Sequence, residues 1–162
     1  MRKKLMVILV AAIALTALGQ PASAAVDVGN TAGCGRGFWK NHLDWPTIIG
    51  EPITPSMTLG SLGWDFPDSL AAYESMTLVE ALEAKGDTRL EGAVQKLIRA
   101  AATSWLNAAV EIPFPYRRTS VGFGGLPPLL TLINDALNSG DRATIVSLAS
   151  ELDAANSLGC PL

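Results

Sequence analysis

The fold of this chain is decided by residues 88–110, TRLEGAVQKLIRAAATSWLNAAV. Apolar residues recur in this stretch at three- and four-residue spacing, which is the period of one face of an α-helix. They are Leu90, Val94, Leu97, Ile98, Ala101, Trp105 and Ala108. Thr88 and Glu91 have the spacing of a capping box, and Pro113 and Pro115 follow the stretch. We therefore predict the longest helix of the chain over residues 89–110, with these apolar side chains buried.

Two shorter helices are predicted upstream of this one. Thr77 and Glu80 form a second capping-box pattern, which starts a helix that should end near Lys85 and Gly86. Asp68 is placed to cap a short helix over residues 69–76.

Two further helices are predicted downstream. Pro127 and Pro128 favour a helix start, and the apolar pattern then continues to Asn138, just before Gly140. Asp141 is placed to cap a last helix over residues 142–155, whose inward side chains would be Ile145, Leu148, Ala149 and Leu152. No segment has the alternation of a strand. The sequence therefore predicts an all-α protein with a bundle of about four to five helices.

The first residues have the layout of a cleavable signal peptide. Arg2, Lys3 and Lys4 precede an apolar run over residues 5–18, and residues 22–24 are Ala-Ser-Ala. The run is shorter than the roughly 20 residues that a membrane span needs. We predict a signal peptide over residues 1–24, with cleavage after Ala24 or, alternatively, Ala25. An uncleaved anchor is the other interpretation. Export would place the protein outside the cell or in the periplasm.

Residues 25–162 have the size of one folded domain. Residues 25–66 are rich in Gly, Pro and Trp and predict an irregular head, and residues 67–162 form the helical body. Removal of the signal peptide leaves nine basic and fifteen acidic residues, a net charge of −6. This charge argues against a nucleic-acid partner. The mature domain lacks a second long apolar stretch, so no membrane insertion is expected after cleavage.

The chain has two cysteines, Cys34 and Cys160. Cysteines in an oxidising compartment normally pair, so we predict one disulfide that ties the ends of the domain together. Its geometry would bring the two Cα atoms to within about 7 Å of each other. An alternative is lipidation of Cys34, because residues 31–34 faintly resemble a lipidation site, and Cys160 would then be a free thiol.

Cys34 is followed by a dense block of polar and aromatic residues, GRGFWKNH at 35–42, and later by a Leu-Gly block at 58–64. Together with QKLIRAAA at 95–102, Asn107 and the C-terminal Cys160, this order resembles a largely uncharacterised secreted domain of bacterial surface and envelope proteins. That group is marked by Cys, a Gly-(Tyr/Phe)-Trp-Lys-Asn-His block and a closing Cys. Here Phe38 stands where Tyr is more usual, and the helix at 95–102 carries Ala where the group tends to carry Lys. The resemblance implies a family and a disulfide but no mechanism.

His42 is the single histidine of the chain. It could act as an acid–base group oriented by Asp44, but no nucleophile-elbow pattern surrounds any hydroxyl. It could also bind a metal with Asp44, Asp65, Asp68 or Glu51, although no ligand pair has a diagnostic spacing. The third interpretation is a hydrogen-bonded histidine that pins the head to the helices. We expect neither a catalytic residue, a metal nor a cofactor.

Flat aromatic side chains stack on sugar rings, so the four tryptophans suggest a carbohydrate-binding surface. Trp64 is the best candidate for an exposed ring, whereas Trp105 lies on the predicted buried stripe. The residues that we consider for binding are Trp39, Lys40, Asn41, His42 and Trp64. For Lys40 and Asn41 the other interpretation is that they cap backbone groups in a tight turn.

We expect a non-enzymatic structural or interaction domain that contacts a cell-envelope protein or a glycan. The alternatives are a hydrolase-like enzyme with its site around His42 and a glycan-binding module that uses exposed tryptophan. The sequence leaves the oligomeric state open.

Overall fold

The computed structural model describes residues 31–162, and all regular secondary structure in this part of the chain is helical. The α-helices are α1 (Arg36–Asn41), α2 (Trp45–Ile49), α3 (Leu78–Glu83), α4 (Leu90–Asn107), α5 (Leu129–Ser139) and α6 (Arg142–Ala155). Three 3₁₀ helices cover Gly60–Leu62, Asp68–Ser75 and Phe123–Gly125 in the described residues. The predicted all-α class is confirmed. The predicted signal peptide and residues 25–30 lie outside the described residues.

Helix α4 is the centre of the fold. It packs against α1, α3, α5 and α6, and every residue from Ala100 to Asn107 is buried. A helix that is buried all round must have neighbours on every side, and the small side chains of residues 100–102 allow those neighbours to approach closely. The predicted stripe is therefore correct along most of its length. There are two exceptions: Leu90, which is 41% exposed at the first position of the helix, and Ala108, which is partly buried and follows the helix as its C-cap residue.

The start of α4 differs from the prediction. Arg89, not Thr88, is the N-cap residue, and no side chain caps it. Asp87 instead accepts the backbone N–H of Arg89 at 2.7 Å and binds its guanidinium group at 2.7 Å and 2.9 Å. These contacts lower the pKa of the Asp87 carboxyl, the guanidinium first and the backbone N–H second. The second capping box was thus wrong, and the helix also ends at Asn107, three residues before the predicted end.

Two of the predicted side-chain caps are confirmed, and α5 begins directly after Pro127 and Pro128, as predicted. Thr77 and Glu80 form the capping box of α3, and Asp141 accepts the N–H of Thr144 at 2.9 Å at the start of α6. The backbone N–H and hydroxyl of Thr77 lower the pKa of the Glu80 carboxyl.

The ends of these elements are less accurately predicted. Helix α3 ends at Glu83 and not near Gly86. The short helix predicted over residues 69–76 is a 3₁₀ helix, Asp68–Ser75, and its N-cap residue is Pro67 and not Asp68. Gly140 ends α5 in the left-handed conformation that favours glycine, as expected.

The head is less irregular than predicted, because it contains α1 and α2. Helix α1 begins after Gly35 and includes the Phe-Trp-Lys-Asn part of the block, and His42 follows as its C-cap. Pro46 lies in the first turn of α2, where a missing N–H costs no hydrogen bond. Helix α1 packs on α3 and α4, so the head is part of the same core as the body. Within residues 31–162, no helix has both the length and the apolar character that a membrane crossing requires.

Candidate functional site

The predicted disulfide is present between Cys34 and Cys160, whose Cα atoms are 4.2 Å apart. An antiparallel bridge next to it joins the N–H of Gly33 to the carbonyl of Gly159 at 3.0 Å. Gly33 has to be small, because a Cβ atom there would overlap the carbonyl oxygen of Ala155. The sulfur of Cys34 is used by the disulfide, which is incompatible with the lipidation alternative.

The side chain of Asn107 connects the head to the body. Its Oδ1 accepts the backbone N–H of Cys34 at 2.9 Å and the indole N–H of Trp39 at 3.1 Å. Its Nδ2 donates to the carbonyl of Cys34 at 2.9 Å and to Oδ1 of Asn156 at 2.9 Å. Asn107 is fully buried. The amide thus makes the four hydrogen bonds that its oxygen and nitrogen allow, and it pairs with Cys34 as a neighbouring strand would.

Asn156 extends this network to α6. Its Oδ1 also accepts the hydroxyl of Ser104 at 3.0 Å, and its Nδ2 donates to the carbonyl of Ala100 at 3.0 Å. Buried polar groups of this kind are favourable only when they are satisfied, and here each amide group has a partner. The network therefore joins the start of the domain, α4 and the end of α6 in one buried cluster.

The tryptophans of the head are core residues. Trp39 and Trp45 are fully buried, and the indole N–H of Trp45 donates to the carbonyl of Trp39 at 3.0 Å. Trp64, the best candidate for an exposed ring, has only 3% of its surface exposed and packs edge-on against Trp105. The interpretation of Trp64 as an exposed ring is therefore wrong. Neither Trp39 nor Trp64 offers a face on which a sugar ring could stack.

His42 lies at the surface, at the end of α1. Its Nδ1 donates to the carbonyl of Phe38 at 2.8 Å, and its ring stacks on the Phe38 ring with a centroid distance of 4.4 Å. The histidine is hydrogen-bonded, as one interpretation held, but its bond lies within α1 and does not pin the head to the body. That connection is made by Asn107.

The interpretation that Lys40 and Asn41 cap backbone groups in a tight turn is wrong, because both residues belong to α1. The ammonium group of Lys40 forms a 2.8 Å ion pair with Glu83 at the end of α3, and this contact lowers the pKa of the Glu83 carboxyl. Asn41 is exposed at the last position of α1. These two residues, together with His42, form the surface part of the block.

Two of the four carboxylates considered as partners of His42, Glu51 and Asp65, bind other side chains. Glu51 binds Arg118 through both carboxylate oxygens at 2.8 Å, and Asp65 accepts the amide of Asn138 at 3.2 Å. Within residues 31–162, no group of three or more His, Cys, Asp or Glu side chains is arranged to hold a metal ion.

A surface groove of about 530 Å³ lies where α2 and α4 end. Apolar side chains and two carboxylates line it. The lining residues are Thr47, Ile48, Ile49, Gly50, Glu51, Ala109, Val110, Glu111 and Leu162. None of them carries a positive charge.

Asn156 and the role of Asn107 were not predicted from the sequence. Both are amides at the end of an apolar helix, where a polar side chain must find a partner if it is buried. That position is the signal that could have identified them.

Comparison of the chain with protein-family models, with curated proteins and with solved structures gave no match, so the resemblance to a secreted bacterial domain stays a prediction.

Proposed function

We propose that this chain is an exported, non-enzymatic domain of the cell envelope or the extracellular space, and that its helical body is a rigid scaffold for contacts with an envelope protein. The observation that carries this proposal is the buried network around Asn107. It uses Cys34 and Trp39, the most distinctive residues of the head, to hold the fold together. The network thereby gives Trp39, the central aromatic residue of the block, a structural role.

The disulfide supports the proposed location. Disulfides form and persist outside the cytosol, and this one closes a loop with a sequence separation of 126 residues. The predicted signal peptide would deliver the chain to such a compartment. The acidic balance of the chain, 15 acidic against 12 basic residues, favours protein contacts over nucleic acid.

The geometry of His42 supports a non-enzymatic role. In a catalytic triad a carboxylate holds the Nδ1–H of the histidine, which fixes the tautomer and stabilises the imidazolium ion. Here the Nδ1–H is held by the carbonyl of Phe38, a neutral acceptor in the same helix. Asp44, the residue considered to orient His42, precedes α2 as its N-cap residue, and within residues 31–162 its carboxylate forms no hydrogen bond or ion pair with His42.

The test is the variant His42→Ala, with Asn41→Ala as the matched control at the neighbouring exposed position. Both should be exported in normal amounts, and their free energies of unfolding should lie within about 1 kcal/mol of wild type, as for most surface substitutions. Secretion is measured by cell fractionation, and stability by urea unfolding. The control for export is the full chain without residues 2–24, which should remain in the cytoplasm.

Two results would contradict the proposal. The first is retention of the full chain in the cytoplasm. The second is turnover in a panel of ester, amide and glycoside substrates that is abolished in His42→Ala and kept in Asn41→Ala, because only a catalytic histidine produces that pattern.

A further inference from the structure

We propose that the groove between the ends of α2 and α4 binds a basic peptide segment of a partner protein, in which a Lys or Arg lies next to an aliphatic residue. This inference rests on the proposed function, since it names the chemistry of the partner that the scaffold would contact. The groove is defined by residues 47–51, residues 109–111 and Leu162.

The shape of the groove suits an aliphatic side chain. Its volume of about 530 Å³ lies within the range of pockets that hold ligands. Ile48 is partly buried against the core, and half of the surface of Leu162 is exposed, so both present apolar surface to an incoming side chain. Ile49 and Val110 are buried and support the groove from the core.

The charge of the groove favours a cation. Glu51 and Glu111 are among its lining residues, which include no Lys, Arg or His. The carbonyl ends of α4 and α2 are close by, since Ala108 and Gly50 are the C-cap residues of these helices. The C-terminal end of a helix carries partial negative charge, so it adds to the attraction for a Lys or Arg.

The two carboxylates contribute differently. Glu51 already shares its charge with Arg118 through a bidentate contact at 2.8 Å. Glu111 is exposed, and within residues 31–162 no basic side chain forms an ion pair with it. Glu111 is therefore the main contact for the cation, and Glu51 is the second.

Arg118 connects the groove to a fluorescent side chain. Its guanidinium group lies 5.9 Å from the centre of the Trp105 ring, which is 4% exposed. A cation that competes for Glu51 will change the position of Arg118 and hence the surroundings of Trp105. Binding in the groove should therefore change the tryptophan emission.

The experiment uses the oxidised protein of residues 25–162 and three acetylated, amidated peptides: GLRLRG, its neutral form GLQLQG and its acidic form GLELEG. Affinity is measured by the change in tryptophan emission and by calorimetry. The contact site is mapped by the shifts of backbone amide signals in NMR spectra. The variants are Glu111→Gln, the double variant with Glu51→Gln, and Glu91→Gln as a matched charge control at the other end of α4.

We expect the basic peptide to bind with one-to-one stoichiometry and to shift the amide signals of Gly50, Ala109 and Val110. Glu111→Gln should weaken binding about threefold, the size expected for one exposed ion pair, and the double variant about tenfold. Glu91→Gln should bind like wild type, and the neutral and acidic peptides should bind at least tenfold more weakly.

Three results would overturn the inference: no shift of the groove amides at millimolar basic peptide, shifts that lie outside the groove, or equal loss of affinity in Glu111→Gln and Glu91→Gln. If the protein is nevertheless folded, exported and without turnover, only this inference fails and the proposed function stands.

Discussion

Replacement of Asn107 by Ala should strongly destabilise the domain. The substitution removes an amide that makes four buried hydrogen bonds. Three groups then lose their partner: the N–H and the carbonyl of Cys34 and the indole N–H of Trp39. Asn156 keeps its contact with Ser104. An unsatisfied buried polar group costs about 1–3 kcal/mol, and entry of water into the new space reduces the sum. We therefore expect a loss of about 3–5 kcal/mol, a large part of the roughly 5–15 kcal/mol that stabilise a typical domain.

The measurement is urea unfolding of the oxidised protein, followed by circular dichroism at 222 nm. The matched control is Asn134→Ala. Asn134 also bonds to two backbone groups, at 3.0 Å and 3.2 Å, but its bonds are exposed, so its loss should be about 1 kcal/mol or less.

Asn107→Asp gives a second test if Asn107→Ala does not fold. A carboxylate at this position would face the carbonyl of Cys34 and Oδ1 of Asn156, which raises its pKa in the folded state above the unfolded value of about 3.9. A raised pKa means that the protonated form is favoured by folding. The stability of Asn107→Asp relative to wild type should thus be greatest below the unfolded pKa of about 3.9 and fall as the pH rises above it towards the folded pKa. A loss in Asn107→Ala no larger than in Asn134→Ala, or a pH-independent Asn107→Asp, would refute the reasoning.

Cys160→Ser removes the disulfide and should lower the free energy of unfolding by up to about 4–5 kcal/mol, which is the chain-entropy estimate for so long a loop. Urea unfolding measures the loss, and a loss below about 1 kcal/mol would contradict this prediction. Burial raises the pKa of the Tyr116 hydroxyl, and the 2.5 Å hydrogen bond to Glu151 raises it further. Because the unfolded chain loses this proton near pH 10 and the folded protein keeps it, the free energy of unfolding should fall above about pH 10. Tyr116→Phe should abolish that fall in unfolding series from pH 8 to 11, and an unchanged pH profile would exclude Tyr116 as its source. Trp39→Phe should cost more stability than Trp64→Phe, because of these two residues only Trp39 has a hydrogen-bond partner for its indole N–H. Thermal unfolding checks the order, and the reverse order would contradict it.

The parts of the fold that the sequence predicts well are those decided by neighbours in the chain. The caps at Thr77 and Asp141 involve residues three positions apart, so the pattern contains both partners. The predicted capping box at Thr88 is wrong because of another contact between neighbours in the chain. Asp87 competes for the same end of α4 and makes both a backbone and a guanidinium contact with Arg89.

The parts that it predicts poorly depend on distant partners. Asn107 and Cys34 are 73 positions apart, and no spacing rule connects them. Trp64 lies in a glycine-rich stretch that suggests exposure. It is nevertheless buried in the core, and Asn134 of α5, about 70 positions away, bonds to the backbone of Gly63 and Asp65 on either side of it. Hydrogen bonds between polar side chains and distant parts of the chain can be identified only from the three-dimensional structure.

The bridge between Cys34 and Cys160 also determines how the domain would respond to mechanical force. With their Cα atoms 4.2 Å apart, tension applied before Cys34 and after Cys160 passes through the disulfide and bypasses the helices. The intervening chain of 126 positions would otherwise extend to roughly 420–450 Å when fully stretched. An oxidised domain therefore adds almost no length to a chain under load, and a reduced one becomes a long, extensible tether.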